Sequence, residues 1–248
     1  MISIRTFGAA LALSASLATG AANAALIAQY HLGESGSMSG GLPLDSSGNG
    51  HDFLNSQNGG GIGTTGSVAA PGSTVALTLP GNAGYYGTAG FFGPSDNFEV
   101  DLWANASGQQ AGNNFTSIFA SAGGFTTGTL FIGVIDTSGS DNWVAFYHNE
   151  AWIGGAAGAG QPVTVGQWTH LQVQSLDGIS TFYINGVASG PTVATQPIAW
   201  SGTHLGVTPG GGTAFFGAHD EVRIATIPEP ASLGMLALGG LALLCRRK

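Results

Sequence analysis

Between Gln167 and Val187 apolar and polar residues alternate in steps of two, and the alternation breaks at two dipeptides, Asp177-Gly178 and Asn185-Gly186. A period of two puts neighbouring side chains on opposite faces of a strand. Asp-Gly and Asn-Gly favour the tight turns that join antiparallel strands, because both central residues must take positive φ. The stretch therefore predicts a three-stranded meander. The same period recurs in Phe98-Glu-Val-Asp-Leu-Trp103, with Phe98, Val100 and Leu102 on one face and Glu99, Asp101 and Trp103 on the other.

Shorter runs of the same type predict strands at 26–32, 74–79, 85–88, 115–121, 128–135, 142–148, 203–207 and 218–225, with turn residues between them. The last of these contains His219-Asp-Glu-Val-Arg-Ile224, read as one unbroken alternation that sets Glu221 and Arg223 on the same face. Helix signals are nearly absent. The 43 glycines raise the alternative of a low-complexity chain, but aromatic runs at 129–135 and 143–147 argue for a packed core. About twelve strands in one open sheet would leave a face uncovered, so the expected fold is an all-β, two-sheet antiparallel sandwich. No internal repeat supports a propeller or a solenoid.

The two ends are expected to stand outside that fold. Arg5, the apolar stretch 7–17 and Ala22-Asn23-Ala24 have the form of a signal peptide over 1–24, read as a signal helix with cleavage after Ala24. At the other end, Pro228-Glu229-Pro230 precedes an uncharged apolar run from Ala231 to Cys245 and the cations Arg246, Arg247 and Lys248. As a helix that run rises only about 22 Å against a hydrocarbon core of roughly 30 Å, which suits a temporary anchor. This order of parts resembles the PEP-CTERM sorting signal of bacterial envelope proteins. The resemblance implies an exosortase as partner, processing near the motif, and a chain that is transiently membrane-tethered on its way to the envelope or the medium. The expected division is a signal peptide at 1–24, one domain at 25–226 and a sorting signal at 227–248.

Charge narrows the partners. Four of the five basic residues lie in the ends, so 25–226 holds Arg223 against twelve carboxylates, a formal charge of -11. Phosphate backbones need many Lys and Arg contacts, which excludes nucleic acid. The single cysteine, Cys245, falls in the tail, so the domain is expected to fold without disulfides.

Asp45-Ser-Ser-Gly-Asn-Gly-His51 is a short polar loop whose oxygens can converge, either as a plain turn or as a calcium loop. Together with 98–103, Gln167-Trp-Thr-His-Leu171, Phe182-Tyr-Ile-Asn-Gly-Val187 and Asp220-Glu-Val-Arg-Ile224, it resembles a LamG-like jelly roll of the concanavalin A-like lectin/glucanase superfamily. The resemblance implies a carbohydrate- or matrix-binding module. It also implies a structural calcium at Asp45 and Asp220, completed by Asn49 and carbonyls near His51. Glucanases of that superfamily carry Glu-x-Asp-x-Glu on a strand, and Trp103 stands where the third carboxyl belongs. A retaining glycosidase needs two carboxyls about 5–5.5 Å apart, so hydrolysis is disfavoured.

The six histidines lack zinc-site spacing. Arg223 is expected to hold an ion pair or a carbonyl-capping contact that ties down the last strand. Trp143, Tyr147, Trp152 and Trp200 could make a sugar platform, but core packing is the commoner fate of any one of them and no site is assigned to them. The expected function is an exported, non-enzymatic binding module for carbohydrate or matrix polysaccharide. A purely structural matrix protein is the alternative, and a glycoside hydrolase comes third.

Overall fold

The computed structural model describes residues 24–57, 61–88, 96–108, 115–137, 139–154, 161–194, 198, 200, 202–210 and 213–228. The expected signal helix, Glu229 and Pro230 of the sorting motif, and the expected C-terminal apolar helix lie outside the described residues. All described residues fall within one compact unit, Ala24–Glu229.

In chain order the strands are β1 (Ala25–Tyr30), β2 (Met38–Ser39), β3 (Leu42–Pro43), β4 (Phe53–Gln57), β5 (Gly63–Thr65), β6 (Ala76–Pro80), β7 (Gly84–Thr88), β8 (Phe98–Ala106) and β9 (Phe115–Ala120). They continue as β10 (Leu130–Thr137), β11 (Ser140–Tyr147), β12 (Ala151–Ile153), β13 (Trp168–Leu176), β14 (Ile179–Ile184), β15 (Val187–Ala188), β16 (Val193–Ala194), β17 (His204–Leu205) and β18 (Phe216–Thr226). A nine-stranded sheet runs β15-β14-β13-β8-β18-β6-β5, with β1 also on β18 and β16 also on β14. A seven-stranded sheet runs β12-β11-β10-β9-β17-β7-β4, and β2 with β3 makes a small hairpin. Every ladder in the two sheets is antiparallel, and the whole is a jelly-roll sandwich.

The meander forms as the sequence predicts. Asp177 and Gly178 have φ of 51° and 72°, and Asn185 and Gly186 have 52° and 77°, so both turns carry two left-handed central residues. Each matches the right-handed twist of the strands it joins. β8 is the centre of the nine-stranded sheet and alternates without a break: Phe98, Val100, Leu102, Ala104 and Ala106 are buried and the residues between them are half-buried.

The core lies between the two sheets. Leu171, Val173, Val222 and Ile224 join the β8 residues from one side, and Ile118, Leu130, Ile132, Val134, Trp143 and Tyr147 meet them from the other. Each large apolar side chain buried this completely contributes about 1.5–3 kcal/mol relative to exposure. The Tyr147 and Ser180 hydroxyls, 2.8 Å apart, tie β11 to β14 across the core.

β18 departs from the expected unbroken alternation. Its pairing with β8 slips between Asp220 and Val222, and Glu221 is the extra residue, with φ of 52°. The first part of the strand pairs with β6 and the last part with β1, so the bulge lies where the neighbour changes. In consequence Asp220 sits opposite Trp103 and Arg223 opposite Asp101, on the outer face, while Val222 and Ile224 turn inward. His219 faces the core, fully buried and edge-on to Phe215, and burial pushes its imidazole down to about 3. The ring is therefore neutral.

Candidate functional site

The outer face of the nine-stranded sheet collects the polar residues of β8 and their cross-strand neighbours. Opposite Glu99, Asp101 and Trp103 on β8 stand Gln174, Gln172 and His170 on β13, and Tyr183 on β14 faces Gln172. All of these side chains are half-buried. The rings of Trp103 and His170 stack with centroids 4.7 Å apart at 29°. His170 Nε2 lies 2.9 Å from Asp101 Oδ1, and Arg223 Nη1 lies 2.5 Å from Glu99 Oε1.

Both charge contacts run diagonally to the register, a reach that long side chains allow. They use the expected ion pair of Arg223, with Glu99, and set the His170 imidazole against Asp101. The strip can offer an aromatic ring face beside planar amides, an imidazole, a guanidinium and carboxylates, fixed on a rigid sheet.

The loop between β5 and β6 closes one end of this face. Trp168 Nε1 donates to Ser67 Oγ at 3.2 Å. Asp220, fully buried, accepts hydrogen bonds from the N–H groups of Ala69 and Ala70 at 2.7 and 2.9 Å and from the Ser73 hydroxyl at 2.6 Å. Glu34 holds the far end of the same loop. It accepts hydrogen bonds from the Thr74 N–H and hydroxyl, the Val75 N–H and the Ser73 hydroxyl. The bonds from Thr74 and Val75 bring the Glu34 carboxyl down to about 2. Sequence reasoning missed this clamp, because neither carboxylate is near the loop in the chain.

The loop expected to hold calcium is arranged otherwise. Asp45 Oδ1 accepts the N–H groups of Gln29 and Ser47, and Oδ2 accepts that of His51, at 2.9–3.0 Å. Burial opposes the charge, but bonds from Ser47, His51 and Gln29 outweigh it and hold the Asp45 carboxyl below the usual range. Asn49 donates its amide to the carbonyls of Leu26 and Ile27. Asp45 and Asp220 share no hydrogen-bonding partner. Among the described residues no three His, Cys, Asp or Glu side chains converge as a metal set. Asp45 and Asp220 thus direct their oxygens at main-chain N–H groups and the Ser73 hydroxyl, and Asn49 directs its amide at carbonyls.

A sequence profile described as the concanavalin A-like lectin/glucanases superfamily matches residues 63–228. The chain belongs to this superfamily. A second profile, the PEP-CTERM protein-sorting motif, matches residues 226–248 and marks an exported, exosortase-sorted protein. Of the motif itself, Pro228 is described, half-buried just beyond β18. At the other junction Ala24 directly precedes β1, whose first residue, Ala25, pairs with Thr226 at the end of β18.

No curated protein matches the chain. Among solved structures it is similar to domain 4 of AbnA, a GH43 extracellular arabinanase from Geobacillus stearothermophilus, in complex with arabinotriose. The TM-score is 0.57 at 24% identity, over 85% of this chain and 96% of that one. It is also similar to a GH54 α-L-arabinofuranosidase soaked with 4-nitrophenyl α-L-arabinofuranoside, with TM-score 0.52 at 12% identity, over 78% of this chain and 48% of that one.

Of the four aromatics weighed between a sugar platform and core packing, three follow the core reading. Trp143, Tyr147 and Trp200 are in the core. Trp152 belongs to a cluster on the outer face of the seven-stranded sheet, where Phe146 meets it at 4.6 Å and stacks on Phe131 at 5.2 Å. Phe115 stands edge-on to Phe131 and Phe146 at 5.5 and 4.8 Å, and Phe125 stacks on Phe131 at 5.4 Å. Gly133 makes room for this, since a Cβ there would collide with the Phe115 ring. Among the described residues no helix is long and apolar enough to cross a membrane.

Proposed function

We propose that this is an exported, exosortase-processed envelope or matrix protein whose sandwich binds polysaccharide along the outer face of the nine-stranded sheet. One observation carries the reading: Trp103, stacked on His170, stands in a rigid strip of half-buried amide, imidazole and paired charged groups. Ring faces stack on sugar faces at low entropic cost, and fixed planar polar groups select hydroxyls. The arabinotriose of the GH43 neighbour supports a glycan as ligand class.

The same geometry favours binding over hydrolysis. Glu99 and Asp101 are engaged by Arg223 and His170, and Trp103 replaces the carboxyl that would have to donate a proton. The C-terminal segment tethers the chain to the membrane until it is processed.

Affinity electrophoresis against extracellular polysaccharides tests the binding. Retardation that falls about tenfold in affinity in Trp103→Ala, an effect of about 1.4 kcal/mol, supports it. Retardation untouched by that change, or none for any glycan, would leave a purely structural matrix protein. Product release abolished by Glu99→Gln would establish a hydrolase instead. Mass spectrometry of the mature protein tests sorting, which an intact Arg246–Lys248 end rules out.

A further inference from the structure

Strands β4 and β5 end the seven- and nine-stranded sheets on the same side of the sandwich, and the β2–β3 hairpin lies beside the gap between them. There the sheets part around a cleft of about 400 Å³. Leu77 and Ile62 give it an apolar wall, and Ser56, Thr64 and Tyr85 bring hydroxyl groups to it. Among its described lining residues none is charged.

Tyr85 is the informative residue. It is 1% exposed, its ring packs near Phe53 with centroids 6.0 Å apart, and it lines the cleft. Burial pushes the phenol up to about 12, so it is a neutral donor. A phenol on the wall of a cavity can donate to a ligand oxygen there.

The geometry points to this cleft as a second binding site, which takes a single neutral sugar ring, such as the end of a pentose or hexose chain, with its C–H face on Leu77 and a hydroxyl accepting from Tyr85. Size and lining both favour that class. A cavity of this volume belongs to the small-ligand range, and an apolar wall with a few convergent hydroxyls matches a ring with one hydrophobic and one polar aspect. An anionic sugar would find no cation to pair with among the described lining residues. The open sheet face suits a chain lying along its length, whereas the cleft admits only an end or a short branch.

Isothermal titration of the intact chain with neutral gluco-, galacto- and arabino-oligosaccharides, and with an oligogalacturonate, tests the proposal. Ser56 is exposed on an edge strand, so Ser56→Trp fills the cleft from outside without repacking the core. Leu54→Ser, on the same strand and 54% exposed, is the control.

A neutral oligosaccharide should bind at two sites in the wild type and in Leu54→Ser, with the cleft site weakened about fivefold in Tyr85→Phe for one lost hydrogen bond and at least a hundredfold in Ser56→Trp, which leaves the sheet-face site. Binding that is equal in Ser56→Trp and wild type, or a preference for the galacturonate, overturns the cleft site. If Trp103→Ala abolishes all sugar binding while both cleft variants bind normally, the cleft fails and the sheet face stands. If Ser56→Trp abolishes it and Trp103→Ala does not, the cleft stands and the sheet face fails. No sugar binding by the wild type overturns both.

Discussion

On the outer face of the nine-stranded sheet, Trp103 is surrounded by His170, Asp101, Glu99 and Arg223 and stays half-open to solvent. On the outer face of the seven-stranded sheet, Phe131 is boxed in by Phe115, Phe125 and Phe146 and is fully buried. Two aromatic side chains, both pointing away from the central core, thus have different fates. Phe131 is covered by its own neighbours and acts as a second, small core. Trp103 stands beside polar groups that pair with one another and stays partly exposed, which is why the proposed glycan site is placed there. Aromatic content alone does not mark a binding face; what stands next to the ring decides.

The largest effect should come from removing the covered ring. Phe131→Ala should cost about 3–5 kcal/mol in urea denaturation, as for other fully buried aromatics, and leave glycan affinity unchanged. A loss below about 1 kcal/mol would mean that the second cluster is ordinary surface and the contrast between the faces is false.

Next comes the carboxylate that holds the border of the polar face. Asp220→Ala leaves the Ala69 and Ala70 amides without an acceptor, with an expected cost of about 2–3 kcal/mol and faster hydrogen exchange at those two amides. Unchanged exchange there would show that the loop is held by something else.

Acid should separate the faces more gently. The Glu34 carboxyl is lowered from 4.5 to about 2, so its hold on the loop is complete above about pH 4.5 and is lost as pH falls towards 2. Amide signals of Thr74 and Val75 should shift through that window while Phe131 ring signals stay fixed; simultaneous movement would indicate one cooperative unit. The smallest effect expected is none: melting curves in calcium and in chelator should coincide, and calcium at 100 times its dissociation constant would instead add about 2.7 kcal/mol. Such a shift would mean that the loops rearrange around an ion.

What the sequence made legible follows from local periodicity. The alternation of 98–103 and the turn dipeptides at 177–178 and 185–186 each act within a few residues, and each appears where expected. The short edge strands β4 and β5 were not legible, because strands of five and three residues are too short to carry a period. The same holds for the site. Trp103 and the acids beside it were placed on one face, but the stacking of His170 on Trp103 depends on the β8–β13 register. The hold of Glu34 and Asp220 on the 66–75 loop joins residues about 40 and 150 positions apart, and no local pattern encodes such a contact. Burial of Trp143, Tyr147 and Trp200 likewise depends on which sheet face is inner.

The extra residue at Glu221 changes the parity of β18. Odd-numbered residues face inward before it, as His219 does, and even-numbered ones after it, as Val222 and Ile224 do. If the strand kept a single parity, Asp220 would be in phase with Val222 and Ile224 and would have to bring a carboxylate into the hydrocarbon interior. One inserted position lets the same strand keep Val222 and Ile224 in the core and still place two oppositely charged side chains on the outer side of the sheet, Asp220 buried against the 66–75 loop and Arg223 beside Glu99. Any redesign of this strand must therefore treat its two halves as separate reading frames.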